Sequence, residues 1–167
     1  MQIKTIKISE AQIERAKKLY DFKALNNSIT EGEGNIYGAI GEIIIQDIFV
    51  EKGYQVKNEN TFDYDLIING KKIDVKTKRT TAFPKAEYNC SIAAYNTKQE
   101  CDYYFFVRVN ENLKDAYLLG YIKKSDFFEK ATFNKKGEID ENGKNGWKFK
   151  ADCYNLKAYM LHSFAVV

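Results

Sequence analysis

Apolar positions along this chain change period several times, and each change marks an element. From Ser9 to Leu25 they recur at helical spacing, with Ile13, Ala16, Leu19, Tyr20 and Leu25 on one face and Arg15, Lys17, Lys18 and Lys23 on the other. Ser9-Glu10-Ala11-Gln12 reads as a capping box that opens this helix. Asn26 to Gly34 is a polar loop. The segment from Gly38 to Phe49, carrying Ile40, Ile43, Ile44, Ile45 and Ile48, is apolar nearly all round and predicts a helix packed inside the domain. A short strand follows at Tyr54 to Lys57. The period then drops to two, where Leu66-Ile67-Ile68 and Ile73-Asp74-Val75 flank Asn69-Gly70, the pair that best suits a two-residue type I′ hairpin turn.

Beyond the hairpin, Thr80 to Lys85 holds the only proline, Pro84, and predicts an irregular connection. Tyr88 to Tyr95 reads as a strand, Asn96 to Cys101 as a helical turn, and Tyr103 to Val109 and Ala116 to Ile122 as strands. Ser125 is placed to cap a short helix carrying Phe127, Phe128 and Ala131. Asn134 to Gly146 is charged and glycine-containing, hence a loop, and two alternating runs, Trp147 to Tyr154 and Ala158 to Val166, predict closing strands. The order predicts one α/β domain over all 167 residues, a central mixed sheet flanked by helices. An antiparallel hairpin and the lack of a glycine-rich phosphate loop argue against a doubly wound nucleotide fold.

The hairpin turn also fixes a register. Ile68 pairs with Lys71, Ile67 with Lys72 and Leu66 with Ile73, which sets Asp65 opposite Asp74. Asp65, Asp74, Lys76 and Lys78 then share one face, and Leu66, Ile68, Ile73 and Val75 cover the other. Like charges directly opposed destabilise a strand pair, so something should offset them. A divalent cation would do so, since Mg²⁺ favours one or two carboxylates plus waters. Lys76 would then orient a water or neutralise charge on a phosphate oxygen. The plainer alternative is an exposed hairpin with its charges in water. Glu42 lies within the apolar helix and needs a partner if it is buried; Gln46, four residues on, shares its face. Alternatively Glu42 is exposed near the N-terminus of its helix and complements the dipole.

These residues resemble the core motif of the PD-(D/E)XK nuclease superfamily. Asp65, an eight-residue gap and Asp74-Val75-Lys76 match its acid on one strand and acid-x-lysine on the next, and Gly38 to Phe49 is similar to its first helix, whose glutamate reaches the metal site. Tyr64 stands where proline is usual, and Asp74 where glutamate is commoner. The resemblance spans about residues 35 to 110 and implies a restriction-endonuclease-like fold with the hairpin carrying the active site. It further implies Mg²⁺ or Mn²⁺ held by Asp65, Asp74, the Val75 carbonyl and Glu42, with Lys76 as the remaining catalytic group. The substrate implied is DNA ahead of RNA, probed by Lys72, Lys78, Arg79 and Gln46. Homodimers and a phage or mobile-element setting are also in keeping with that superfamily.

Composition changes the picture little. The formal net charge is only +3, but Lys71, Lys72, Lys76, Lys78, Arg79 and Lys85 cluster with only Asp74 among them, a footprint suited to phosphates. Cys90, Cys101 and Cys153 form no CxxC pair and His162 is the lone histidine, which disfavours zinc and leaves oxygen-ligated metal. The odd cysteine count and the charged N-terminus predict an intracellular, cytoplasmic protein, and no apolar run approaches a membrane span. Tyr88, Tyr95, Tyr103 and Tyr104 are candidates for the core or for base stacking. Three rivals stand beside hydrolysis of DNA. One is a nucleic-acid-binding module that keeps the fold without cleaving, or a junction-resolving enzyme. Another is a glycosidase using carboxylates about 5 Å apart at Cβ, which the adjacent lysines and single tryptophan oppose. The last is a purely structural protein.

Overall fold

A computed structural model describes residues 2–24, 34–59, 61–140 and 146–164. The predicted loop from Asn26 to Gly34 lies almost wholly outside the described residues. A six-stranded sheet runs in the order β1 (Lys4–Lys7), β7 (Asp115–Lys123), β6 (Tyr103–Asn110), β4 (Lys71–Thr80), β3 (Leu66–Ile68) and β2 (Val56–Asn58). Only the β4/β6 pair is parallel, so the sheet is mixed, as the element order predicts. A second sheet of three strands, in the order β5 (Asn89–Ala93), β9 (Cys153–Lys157) and β8 (Thr132–Asn134), was not foreseen as a separate layer.

Two helices cover one face of the large sheet. In α1 (Glu10–Ala24) the capping box forms as read, with the Gln12 N–H donating to Ser9 Oγ and the Ser9 N–H to Gln12 Oε1. Arg15, exposed as expected, also forms an ion pair with Asp47 of α2 (Gly34–Glu51) at 2.8 Å, and Gln12 Nε2 donates to the same carboxylate. Packed between α1 and the sheet, α2 has no solvated stripe through its middle. Every residue from Ala39 to Ile45 is buried. Ile40, Ile43, Ile44 and Ile45 each contribute about 1.5–3 kcal/mol by leaving water, and share one core with Ala16 of α1 and with Leu66, Ile73, Val75 and Phe105 of the sheet.

The opposite face is also covered. Tyr104, Phe106 and Leu119 pack against Cys90, Ile92 and Leu156 of the small sheet and against Phe127 of α3 (Lys124–Lys130). The expectation that this face would simply hold charge is corrected: polar residues are confined to β4 and the end of β6, and the rest is a second apolar core. All three cysteines are free and buried.

Two further readings change. Ser125 does not cap α3; the chain passes straight from β7 into the helix, Lys123 takes the cap position without a side-chain bond, and Ser125 Oγ donates to Asp126 Oδ1. As far as residue 164, the C-terminal strands expected over 147–154 and 158–166 are replaced by β9, which straddles their boundary, a 3-10 turn at Ala158–Met160 and an isolated bridge from His162 to Tyr121; residues 165 and 166 lie outside the described residues. Among the described residues no helix is long and apolar enough to cross a membrane.

Candidate active site

The hairpin closes as predicted. Asn69 and Gly70 both take positive φ, 46° and 79°, and the register runs Ile68–Lys71, Ile67–Lys72, Leu66–Ile73. There the ladder stops. Continued regularly, it would set the Val75 N–H on the Tyr64 carbonyl, but that carbonyl accepts instead from the Thr61 N–H and hydroxyl. The Asp65 carboxylate takes its place, with the Val75 N–H donating to Asp65 Oδ2 at 2.8 Å, while the Asp65 N–H donates to Ile73 O. Asp65 therefore does not stand squarely opposite Asp74 in the ladder. Its carboxylate lies along the edge of β4, where backbone pairing has ended.

Asp74 is 4% exposed, and the Lys76 amine pairs with its Oδ2 at 2.6 Å. This ion pair offsets the buried charge that the sequence left without a partner. The amine also donates to Oε1 of Gln99, a buried amide, at 3.2 Å. Gln99 Nε2 donates in turn to Phe62 O at 2.7 Å, and its own carbonyl accepts from the Lys124 amine. The Glu100 N–H donates to Asp63 Oδ1. The segment after the 3-10 turn of Ala94–Lys98 thus latches the loop ahead of Asp65 onto Lys76. Gln99 and Lys124 were missed from sequence, and no local pattern marks them; the crossover from β4 to β6 brings in Gln99, and the start of α3 after β7 brings in Lys124.

Parallel pairing sets Tyr104 beside Asp74, Phe106 beside Lys76 and Arg108 beside Lys78. Burial, reinforced by nearby Cys101 and Asp74, pushes the Tyr104 hydroxyl far above its ordinary range, so it stays protonated. Burial and then the charge of Asp74 raise Cys101 to about 11, which leaves it a thiol and a poor nucleophile. Lys78 is exposed as a residue, and its amine donates to Ser91 Oγ at 2.9 Å, where the second sheet crowds it. Desolvation there, then the charge of Arg108, bring it down to about 8. Arg108 donates from Nη2 to Asn89 O and lies over the Tyr88 ring at 5.4 Å. Two cations thus stand close together on the strands leading away from Asp74.

Other sequence candidates are distributed differently. Glu42 is buried on α2, next to Gly41, where the helix presses on β4: a Cβ at Gly41 would come within 2.0 Å of Thr77 Oγ1 and 3.0 Å of Thr77 Cβ. Gln46 is half-buried one turn further on. Lys72 lies over the Tyr64 ring at 5.1 Å, and its N–H donates to Asp102 Oδ2. Arg79 is exposed but alternates onto the helix-covered face with Val75 and Thr77, so it does not join Lys78 beside Asp74. Among the described residues no three acidic, histidine or cysteine side chains converge as a ready-made metal cage. The oxygen donors at this end of the hairpin are the Asp65 carboxylate, bonded to the Val75 N–H, the carboxylate of Asp74 one residue earlier, and the Val75 carbonyl. That set fits Mg²⁺, which takes one or two carboxylates and keeps several waters.

No family model matches the chain, and no curated protein matches it.

Proposed function

We propose that this protein is a metal-dependent nuclease that hydrolyses phosphodiester bonds in DNA, with a restriction-endonuclease-like core and an endonucleolytic mode of attack. The observation that carries this reading is the juxtaposition at the end of the hairpin. One strand supplies a buried Asp74-x-Lys76 pair, and the end of its neighbour supplies Asp65, tied to the residue between them. Bound to these carboxylates, Mg²⁺ or Mn²⁺ would lower the pKa of a coordinated water and stabilise charge on the phosphorus.

The chain's own residues supply the rest. Lys76 is held by Asp74 and Gln99, and from there its amine would orient a water or neutralise a phosphate oxygen beside the acids. Glu42 is buried on the helix that Gly41 brings against the Thr77 side of β4, and in this reading it would serve the metal from across that strand. Lys78 and Arg108 hold phosphates of the strand further along, and the predicted role of Arg79 passes to Arg108. Lys71, Lys123 and Lys124 line a cavity of about 560 Å³ at the other end of these strands, which extends the positive surface. Exposed Phe62 and Tyr95 flank the Gln99 segment and suit stacking on unpaired bases. The buried Asp74–Lys76 pair speaks against the glycosidase reading, because a retaining pair needs two carboxylates addressing one sugar without a lysine neutralising either.

The reading is tested by incubating the protein with supercoiled plasmid, single-stranded DNA and a four-way junction, in Mg²⁺, Mn²⁺ or EDTA, beside Lys76→Ala. Cleavage that needs metal and disappears in the variant supports it. Metal-independent cleavage, or equal cleavage by both proteins, refutes it, and binding without cleavage supports the non-catalytic module.

A further inference from the structure

The small sheet has its own polar face, which meets the strand of the acid site at Ser91, the acceptor of the Lys78 amine. Strand pairing aligns Asn89 with Lys157 and Ser91 with Asn155, while β8 adds Thr132 and Asn134 to the same face. Three asparagines on one face of a short sheet are unusual, since asparagine is a poor strand former. They line a cavity of about 680 Å³, within the range of small-molecule sites.

The polar groups are ordered. Lys157 Nζ donates to Asn89 Oδ1 at 2.6 Å, and Asn89 Nδ2 donates to Asp140 Oδ2 at 2.9 Å. Asn155 Nδ2 donates to Asn134 Oδ1 at 2.8 Å, and Asn134 Nδ2 to Glu138 Oε2. Asn155 is 7% exposed, and its Oδ1 accepts no hydrogen bond among the described residues. A buried acceptor of this kind calls for a donor. Ile139, Tyr159 and Met160 also border the cavity and stay exposed.

Amides and carboxylates on the floor, with an aromatic ring and aliphatic groups at the rim, are the complement of a planar heterocycle that carries both donors and acceptors. Glu138 and Asp140 are matched in the lining by Lys130 and Lys157, so it is the amides and the exposed ring, not net charge, that suit the base of such a ligand. Asn89 joins the two regions, its side chain facing this cavity and its carbonyl holding Arg108.

We propose that the cavity on the polar face of the small sheet binds a nucleobase turned out of the nucleic-acid strand, stacked on Tyr159 and held by Asn89, Asn134 and Asn155. Naming a nucleobase rests on the nucleic-acid reading above, but binding here does not require hydrolysis. The test is calorimetric titration of the whole chain with each of the four deoxynucleoside 5′-monophosphates and with deoxyribose 5-phosphate. At least one nucleotide should bind at least about fivefold more tightly than deoxyribose 5-phosphate, and Tyr159→Ala, at an exposed position, should remove that advantage. Lys76→Ala should retain it while losing cleavage. Nucleotides that bind no better than the base-free sugar phosphate, or equally well to Tyr159→Ala, overturn the proposal. Nucleotide binding without cleavage of any DNA would refute the hydrolase and leave this site standing, and cleavage without nucleotide binding would do the reverse.

Discussion

The two halves of β4 have the same sequence character and opposite fates. Over Lys71–Ile73 the strand is hydrogen-bonded along both edges, by β3 on one side and by β6 with Asp102 on the other. From Asp74 to Thr80 only β6 pairs it, and among the described residues no strand takes the other edge. The apolar face crosses this boundary only as far as Val75 and gives way to Thr77 and exposed Arg79, and the polar chemistry of the other face begins at Asp74. Where backbone no longer satisfies backbone, side chains must, and Asp65 on the Val75 N–H is the first to do so. A short neighbouring strand thus turns an ordinary ladder into a place where carboxylates and a lysine gather.

If this difference underlies function, disturbing the single-edged half should cost activity far more than it costs the hairpin. The largest effect is expected for Asp74→Asn and Lys76→Met, each lowering the rate of DNA cleavage at least about 100-fold in steady-state assays. Each should also destabilise the fold, by about 3 kcal/mol, because it strands a buried partner, whereas the double variant should lose less than the sum in urea unfolding. Additive losses would mean that the pair contributes nothing as a pair.

Gly41→Ala comes next. The added methyl cannot be relieved by rotating Thr77, whose Cβ and Cγ2 are also close, so a loss of about 1–3 kcal/mol is expected, with cleavage falling as α2 and Glu42 shift. Asp65→Ala should cost about 1–2 kcal/mol through the uncapped Val75 N–H, and a control at exposed Lys71 should cost almost nothing.

Much of the site was legible because its determinants are local. Asn69-Gly70 dictated the hairpin and its register, and Ser9 with Gln12 dictated the start of α1. The same local reasoning failed where a long-range contact decided. Asp65 was set in the ladder because nothing in the sequence shows that Thr61 captures the Tyr64 carbonyl. Gln99 and Arg108 reach the site only through the parallel crossover, and β1 is too short and too charged to read as a strand without its partner β7. The closing runs misled because alternation continues through Tyr154 to Leu156, while the contact with β5 selects only Cys153–Lys157.

The smallest effect expected is a pH dependence. Lys78 is depressed to about 8 in the folded chain against 10.5 unfolded, with Arg108, Cys90, Cys153 and Asp140 the charged or titratable groups around it. The unfolded chain binds the extra proton between those values, so this residue's penalty is full below about pH 8 and is relieved as pH rises toward 10.5. Lys78→Met should be more stable than the parent near pH 7 and lose that advantage by pH 10, as thermal unfolding across this range would show. DNA affinity should weaken above pH 8 in the parent and hold in Lys78→Arg, measured by fluorescence anisotropy.

The most direct measurement couples metal to chemistry in one sample: Mg²⁺ titrated into the parent, Lys76→Met and Asp74→Asn, with calorimetric binding and cleavage of a labelled DNA strand followed together. Hydrolysis at this site predicts binding and cleavage in the parent, binding without cleavage in Lys76→Met, and neither in Asp74→Asn. Mg²⁺ binding and cleavage that persist in Asp74→Asn would contradict it.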